Sequence, residues 1–80
     1  QLDSMTFMQA DARIAGFLLE SEHNGSVAIT HEEIANTVGV SRVTVSKTLS
    51  RFAKSGYIST EYRRILIKSR EGLEKLVNES

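Results

Sequence analysis

Between residues 42 and 54 the apolar side chains return every three or four positions. On a helical projection Val45, Thr48, Leu49 and Phe52 fall within about 100° of one another, the width of a buried stripe. The opposite face carries Lys47, Ser50 and Lys54, with Ser46 and Arg51 on its flanks and a lone aliphatic, Val43, in its middle. This period predicts a helix from Arg42 to about Lys54, capped by Ser41 and followed by Gly56, where a left-handed C-terminal cap is needed. Upstream, Thr30 and Glu33 form a capping box before Ile34, Ala35 and Val38, predicting a helix of about two turns that stops at Gly39.

The same periodicities extend to both ends of the chain. Ala10, Ile14, Phe17 and Leu18 recur at helical spacing behind a Thr6–Gln9 capping box, which predicts a first helix opening at Thr6 and fading before the turn signal HNGS, residues 23–26. VAI, residues 27–29, reads as a short strand. YIST and RRILIKS read as two strands of a hairpin joined near Glu61-Tyr62-Arg63. Ser69 caps a last helix through Val77, with Leu73, Leu76 and Val77 facing inward. Two short helices joined through a glycine and followed by a hairpin make the winged helix-turn-helix arrangement. The fold expected is therefore mainly α with a small β-hairpin wing: a three-helix core, the wing and a C-terminal helix, in a single domain over residues 1–80.

Composition narrows the classes. Eighty residues with 40% hydrophobic content suit one small globular domain, and no cysteine is present, so neither disulfides nor thiolate metal sites support the fold. The longest apolar runs, FLL and ILI, are far shorter than the roughly 20 residues of a membrane span, so no membrane association is expected and a cytoplasmic setting is. A first residue of Gln rather than Met points to a fragment or processed chain. The formal net charge is zero, yet residues 42–70 carry a balance of +7, residues 1–41 of −5 and residues 71–80 of −2. That split describes a basic working surface on an acidic body.

From Arg42 to Ser59 no acid occurs, and the polar face of the Arg42–Lys54 helix combines short hydroxyls with long cations. Small side chains let a backbone approach base edges, and cations reach base acceptors or phosphates, so the helix suits a DNA major groove. His23 and His31 lack a nearby cysteine or a plausible nucleophile pair, and the sequence shows no phosphate-cradling glycine loop or metal-ligand cluster, so an enzyme is not indicated. The competing reading is a winged-helix protein-interaction module without DNA binding, which would need large apolar anchors on the same helix face. RNA stands further off, because its major groove is too narrow for such a helix.

The segments RIAGFLL, ITHEEIANTVGVSRVTVSKTLSRFAKSGYIS and ILI resemble the C-terminal DNA-binding domain of the cyclic-AMP receptor protein/fumarate-nitrate regulator (Crp/Fnr) family of bacterial transcription factors, over residues 10 to 68 or so. The resemblance implies sequence-specific DNA binding in transcription regulation, a sensor domain and dimerisation helix upstream of Gln1, and a homodimer on a palindromic operator. It implies no cofactor in this chain, since any effector would bind the sensor domain, and it makes RNA polymerase a candidate further partner. Carried over position by position, base reading falls to Arg42, Val43, Ser46 and Lys47, and phosphate contact to Thr30, His31, Ser41, Thr44 and Arg63; Arg51, a cation on the flank of the polar face, is expected to join the phosphate contacts. Ser41 and Thr44 also have an ordinary role in capping. Three departures from the family pattern stand out: His31 replaces a more usual Arg, the hairpin tip lacks the frequent Gly and so predicts a looser or longer wing, and Val43 stands where most members have Glu. A glutamate there accepts from the cytosine N4 amino group within half-sites such as TGTGA or TTGAT, whereas valine packs on a thymine methyl, so the half-site expected is closer to TTAAT.

Overall fold

The computed structural model describes the backbone of residues 2–78 and the side chains of residues 9–78. Its elements are α1 (Leu2–Ser21), β1 (Ser26–Val27), α2 (His31–Val38), α3 (Arg42–Lys54), β2 (Ile58–Glu61), β3 (Arg64–Ile67) and α4 (Arg70–Asn78). The mainly helical, winged arrangement expected from the periodicity is the one observed. Its three helical faces and the sheet close on one core, with Ile14, Ala15 and Leu18 from α1, Ile34, Ala35 and Val38 from α2, and Val45, Leu49 and Phe52 from α3. Val27, Ile58 and Ile65 add one side chain from each strand, and Leu73 adds one from α4. Leu76 and Val77 pack at the margin of this core.

Local chemistry fixes the helix-turn-helix. The Glu33 backbone N–H donates to the Thr30 hydroxyl at 3.2 Å while the Glu33 carboxylate accepts from the Thr30 N–H at 2.9 Å, so both halves of the capping box are made. The Thr30 N–H and then its hydroxyl, both donating to Glu33, hold that carboxyl below the usual carboxylate range. Helix α2 ends at Gly39, whose φ of 85° is left-handed and cheap only for glycine. Arg13 of α1 donates to the Val38 carbonyl at this end, supplying a partner for a group that the finished helix leaves unpaired. Two residues on, Ser41 accepts from the Thr44 N–H at 3.0 Å and α3 begins. At the far end the N–H groups of Tyr57 and Gly56 donate to the carbonyls of Phe52 and Ala53 at 2.9 and 3.0 Å, the paired bonds of a glycine-terminated helix.

Three details differ from the expectation. Helix α1 begins at Leu2, so Thr6 lies inside the helix instead of capping it; no glycine or proline separates Leu2 from Thr6, and its side chain lies outside the described residues. The first strand is Ser26–Val27, and it pairs with β3 (Val27 opposite Ile65), which makes the wing part of a three-stranded antiparallel sheet of order β1-β3-β2. The wing is also tight, not loose: Glu61 faces Arg64 in register, leaving Tyr62 and Arg63 as a two-residue turn. The missing glycine is replaced by Arg63 itself, which adopts φ 56°.

A non-glycine residue in that region costs about 1 to 2 kcal/mol. Arg63→Gly is therefore expected to be more stable than Arg63→Ala by about 1 kcal/mol, because both lose the guanidinium and only glycine sheds the backbone strain. Denaturant titration of the pair checks it; equal midpoints would mean that the turn relaxes at no cost.

Candidate nucleic-acid interface

Helix α3 buries Val45, Thr48, Leu49 and Phe52, the stripe expected from its period, and turns its other side to solvent. Arg42, Val43, Lys47, Ser50 and Lys54 are exposed there, and Val43 keeps 63% of its surface accessible. The helix contains no carboxylate. Its exposed face is thus a short cationic and hydroxylated surface with one aliphatic side chain near its N-terminal end.

The residues expected to touch phosphate divide into three groups. Thr30, His31 and Arg63 line one cleft of about 430 Å³ between the start of α2, the start of α3 and the wing, together with Arg42, which was expected to read bases. Further wing residues, among them Glu61, Tyr62 and Arg64, line the same cleft. Ser41 and Thr44 lie on the opposite flank, in a concavity shared with Gln9 and Arg13 of α1. There the Ser41 hydroxyl donates to the Thr44 hydroxyl at 2.9 Å while accepting the Thr44 N–H, so Ser41 is occupied by its capping role and Thr44 keeps its own O–H to donate. Arg51 belongs to neither flank. Its guanidinium pairs with Asp11 of α1 and donates to the Thr48 hydroxyl at 3.4 Å.

The charges that remain free for an anionic partner are fewer than the sequence total. Arg64 is held by Glu61 at 2.7 Å across the hairpin, and Arg70 by Glu22 at 2.7 Å and by Glu74 at 3.3 Å. Surface pairs of this kind contribute little to stability, but each removes a cation from the pool that could face DNA. Arg63 instead projects from the tip of the wing, its guanidinium carbon 5.4 Å from the centre of the Tyr62 ring.

Two features of this surface go beyond the residues expected from the sequence. Tyr62, at 87% exposure, is the most prominent apolar surface on the wing, and the signal for it was an aromatic in a turn where Gly, Asn or Asp is usual. The other is a hydrogen bond between helices: His31 Nδ1 and Ser46 Oγ lie 3.0 Å apart, joining the first residue of α2 to a residue expected to read bases on α3. No sequence signal marks it, because the two positions are brought together only by the fold.

Among the described residues no group of three His, Cys, Asp or Glu side chains is placed to hold a metal ion, and no helix is long and apolar enough to cross a membrane.

The comparisons with known proteins agree with this geometry. Residues 12–76 match the model of the Crp-like helix-turn-helix domain. A CRP-like cAMP-activated global transcriptional regulator of Mycobacterium tuberculosis is 36% identical over 92% of this chain and 38% of its own length. The transcriptional regulator SdrP of Thermus thermophilus is 32% identical over 95% of this chain and 42% of its own length. Among solved structures, the reduced (Fe(II)) CO-sensing protein of R. rubrum superposes with a TM-score of 0.86 at 35% identity, covering 94% of this chain and 39% of that one. The catabolite activator protein of Thermus thermophilus superposes with a TM-score of 0.85 at 28% identity, covering 98% of this chain and 38% of that one. The chain thus spans about two fifths of the length of these two relatives.

Proposed function

The chain belongs to the Crp-like helix-turn-helix family, and from that premise we propose that it is the operator-reading domain of a bacterial transcription regulator, with α3 lying in the major groove of double-stranded DNA. One observation carries this reading: α3 exposes Arg42, Val43, Lys47, Ser50 and Lys54 without a single acid, beside a wing that presents Arg63. The cations supply the attraction for phosphate and the hydroxyls permit close approach. Val43 and Tyr62 are the large apolar side chains exposed among the described residues, which is too little surface for the buried anchors of a protein-interaction face.

Roles then follow from position. Arg42, Val43, Ser46 and Lys47 occupy the end of α3 that enters the groove and read base edges. Thr30, His31, Thr44 and Arg63 contact phosphates on the two flanks, with Ser41 holding the helix end toward one of them. Arg51, engaged by Asp11, serves to hold α3 on α1. In the whole protein two such domains act as a homodimer on a palindromic operator with TTAAT-like half-sites, under the control of an effector domain that precedes Gln1, in the cytoplasm and in contact with RNA polymerase.

Reading and holding separate experimentally. In a covalently tethered dimer, Lys47→Ala should change the base preferred at one symmetric pair of positions, at about 1 to 3 kcal/mol, while Arg63→Ala should weaken all duplexes alike and reduce the salt dependence of log Kd by about one phosphate contact. Selection from random duplexes, followed by titration over a range of salt, measures both. A changed operator with Arg63→Ala and an unchanged one with Lys47→Ala would reverse the two roles.

A further inference from the structure

His31 opens α2 and Ser46 sits in the second turn of α3, both half-buried where the two helices meet, with Nδ1 and Oγ 3.0 Å apart. A hydroxyl has one proton to give and two lone pairs with which to accept, so what it offers a second partner depends on what the first has taken. Neutral imidazole protonated on Nε2 accepts at Nδ1. Ser46 then spends its proton on His31 and turns only lone pairs outward, which suit the N6 amino group of adenine or the N4 amino group of cytosine. Imidazolium carries a proton on Nδ1 and must donate. Ser46 then accepts from His31 and has its own proton free for guanine O6 or N7, or thymine O4.

We infer that the neutral His31 ring carries its proton on Nε2 and that His31 is a specificity-determining residue acting through Ser46: on protonation Nδ1 turns from acceptor to donor, Ser46 regains its own proton while keeping one free lone pair, and base preference moves from amino donors toward carbonyl or ring-nitrogen acceptors. The inference rests on the reading that α3 meets base edges. It goes beyond a phosphate-contacting role for His31, since added charge alone would tighten every duplex equally and leave the ratios among bases unchanged. Histidine is the side chain type whose charge ordinarily changes between about pH 5 and 8, which sets the two conditions of the test. The charged groups that share the cleft with His31 are Glu32 on α2, Arg42 on α3, and Glu61, Arg63 and Arg64 on the wing. The second histidine, His23, lies exposed in the turn after α1 and pairs through its backbone with Ser26.

The test compares base preference at about pH 5.5 and pH 8 for the 80-residue chain, its His31→Asn variant and its Ser46→Ala variant, using duplexes that vary one position at a time. The position read by Ser46 is the one at which Ser46→Ala flattens the preference. There the ratio of affinities for amino-bearing against acceptor-bearing bases should change about fivefold between the two conditions in the parent, the worth of one hydrogen bond. In His31→Asn, which reaches Ser46 but does not titrate, the ratio should stay constant, and His23 is left untouched as an internal control. A ratio that is constant in the parent, or that still changes in His31→Asn, overturns the inference while leaving the operator reading intact, as does a Ser46→Ala variant that flattens no position. If no duplex is bound at all the operator reading fails, and the hydroxyl is followed in the free chain by ¹⁵N spectra of the His31 ring. There Ser46→Ala should alter the Nδ1 resonance of the neutral ring, and a ring indifferent to Ser46 would sink the inference without any DNA.

Discussion

Gly72→Ala should destabilise the domain by about 1 to 3 kcal/mol, although alanine is the better helix former and the site is inside a helix. Gly72 belongs to the first turn of α4, where its N–H donates to the capping Ser69 hydroxyl at 3.1 Å. A methyl group there would meet the Tyr57 ring at 2.4 and 2.5 Å from two of its edge carbons and at 3.0 Å from Cγ. Those distances are well inside van der Waals contact, and Cγ cannot be swung away by rotating the ring about its own axis. Nor can the residue shift readily. Tyr57 donates its N–H to Phe52 at the end of α3, accepts from the N–H groups of both Lys68 and Ser69, and leans its ring on Phe52 at 6.3 Å between centroids.

A partner substitution separates the cause from the alternatives. In a Tyr57→Ala background the obstruction is gone and Gly72→Ala should become neutral or stabilising by up to about 1 kcal/mol, the propensity difference alone. For a domain of this size a loss of 1 kcal/mol lowers Tm by about 4 to 8 °C, so thermal melts of the four proteins resolve the reversal of sign. The same penalty in both backgrounds would put its origin in the backbone and not in the ring. The contact also matters for the interface, because Tyr57 is the joint at which α3, the base of the wing and α4 meet.

Nothing in the sequence marks Gly72 and Tyr57 as a pair, and the reason separates what was legible from what was not. Helices α2 and α3 were readable to the residue because their signals are local: Thr30 with Glu33, Gly39, Ser41 and the Val45–Leu49–Phe52 stripe each act within one or two turns. The Thr6–Gln9 pattern misled for the same reason, since the capping spacing also occurs inside a helix and only the upstream backbone distinguishes the two cases. Strand β1 is two residues long and exists by pairing with β3, so periodicity could not fix its ends. Thr48 sat correctly in the buried stripe, but the reason it is tolerated there at 0% exposure is a hydroxyl bond to Asp11, 37 positions away. Arg51 is drawn from the polar flank to the same carboxylate. His31 and Ser46 are equally a product of tertiary packing. Residue type and helical phase thus found the exposed face of α3, whereas the partners that occupy its edges required the fold.

Val43→Glu should move operator preference from A·T to G·C at one symmetric pair of base pairs, by about 1 to 3 kcal/mol. Val43 is 63% exposed in the second position of α3, on the face that also holds Lys47, so its side chain is presented outward and makes no contribution to the core. Valine offers only methyl groups. It can rest against the C5 methyl of thymine, and it leaves the amino group of a cytosine without an acceptor, so it favours A·T both by contact and by the penalty it sets on the alternative. Glutamate reverses both terms by accepting from cytosine N4 and by bringing an anion toward thymine O4, itself an acceptor. The fold should hardly notice the change: exposed substitutions usually stay within about 0.5 kcal/mol, and an acid in the first turn interacts favourably with the helix dipole where α3 otherwise has none. Overall affinity should fall somewhat for every duplex, since the new charge is repelled by the phosphate backbone and partly neutralises Arg42 and Lys47 beside it. The decisive quantity is therefore the ratio of affinities for a TTAAT-like and a TTGAT-like half-site, measured by competition with the parent and the variant as tethered dimers. A ratio that is the same in both would leave Val43 an exposed aliphatic without a part in reading, and specificity would then rest on Arg42, Ser46 and Lys47.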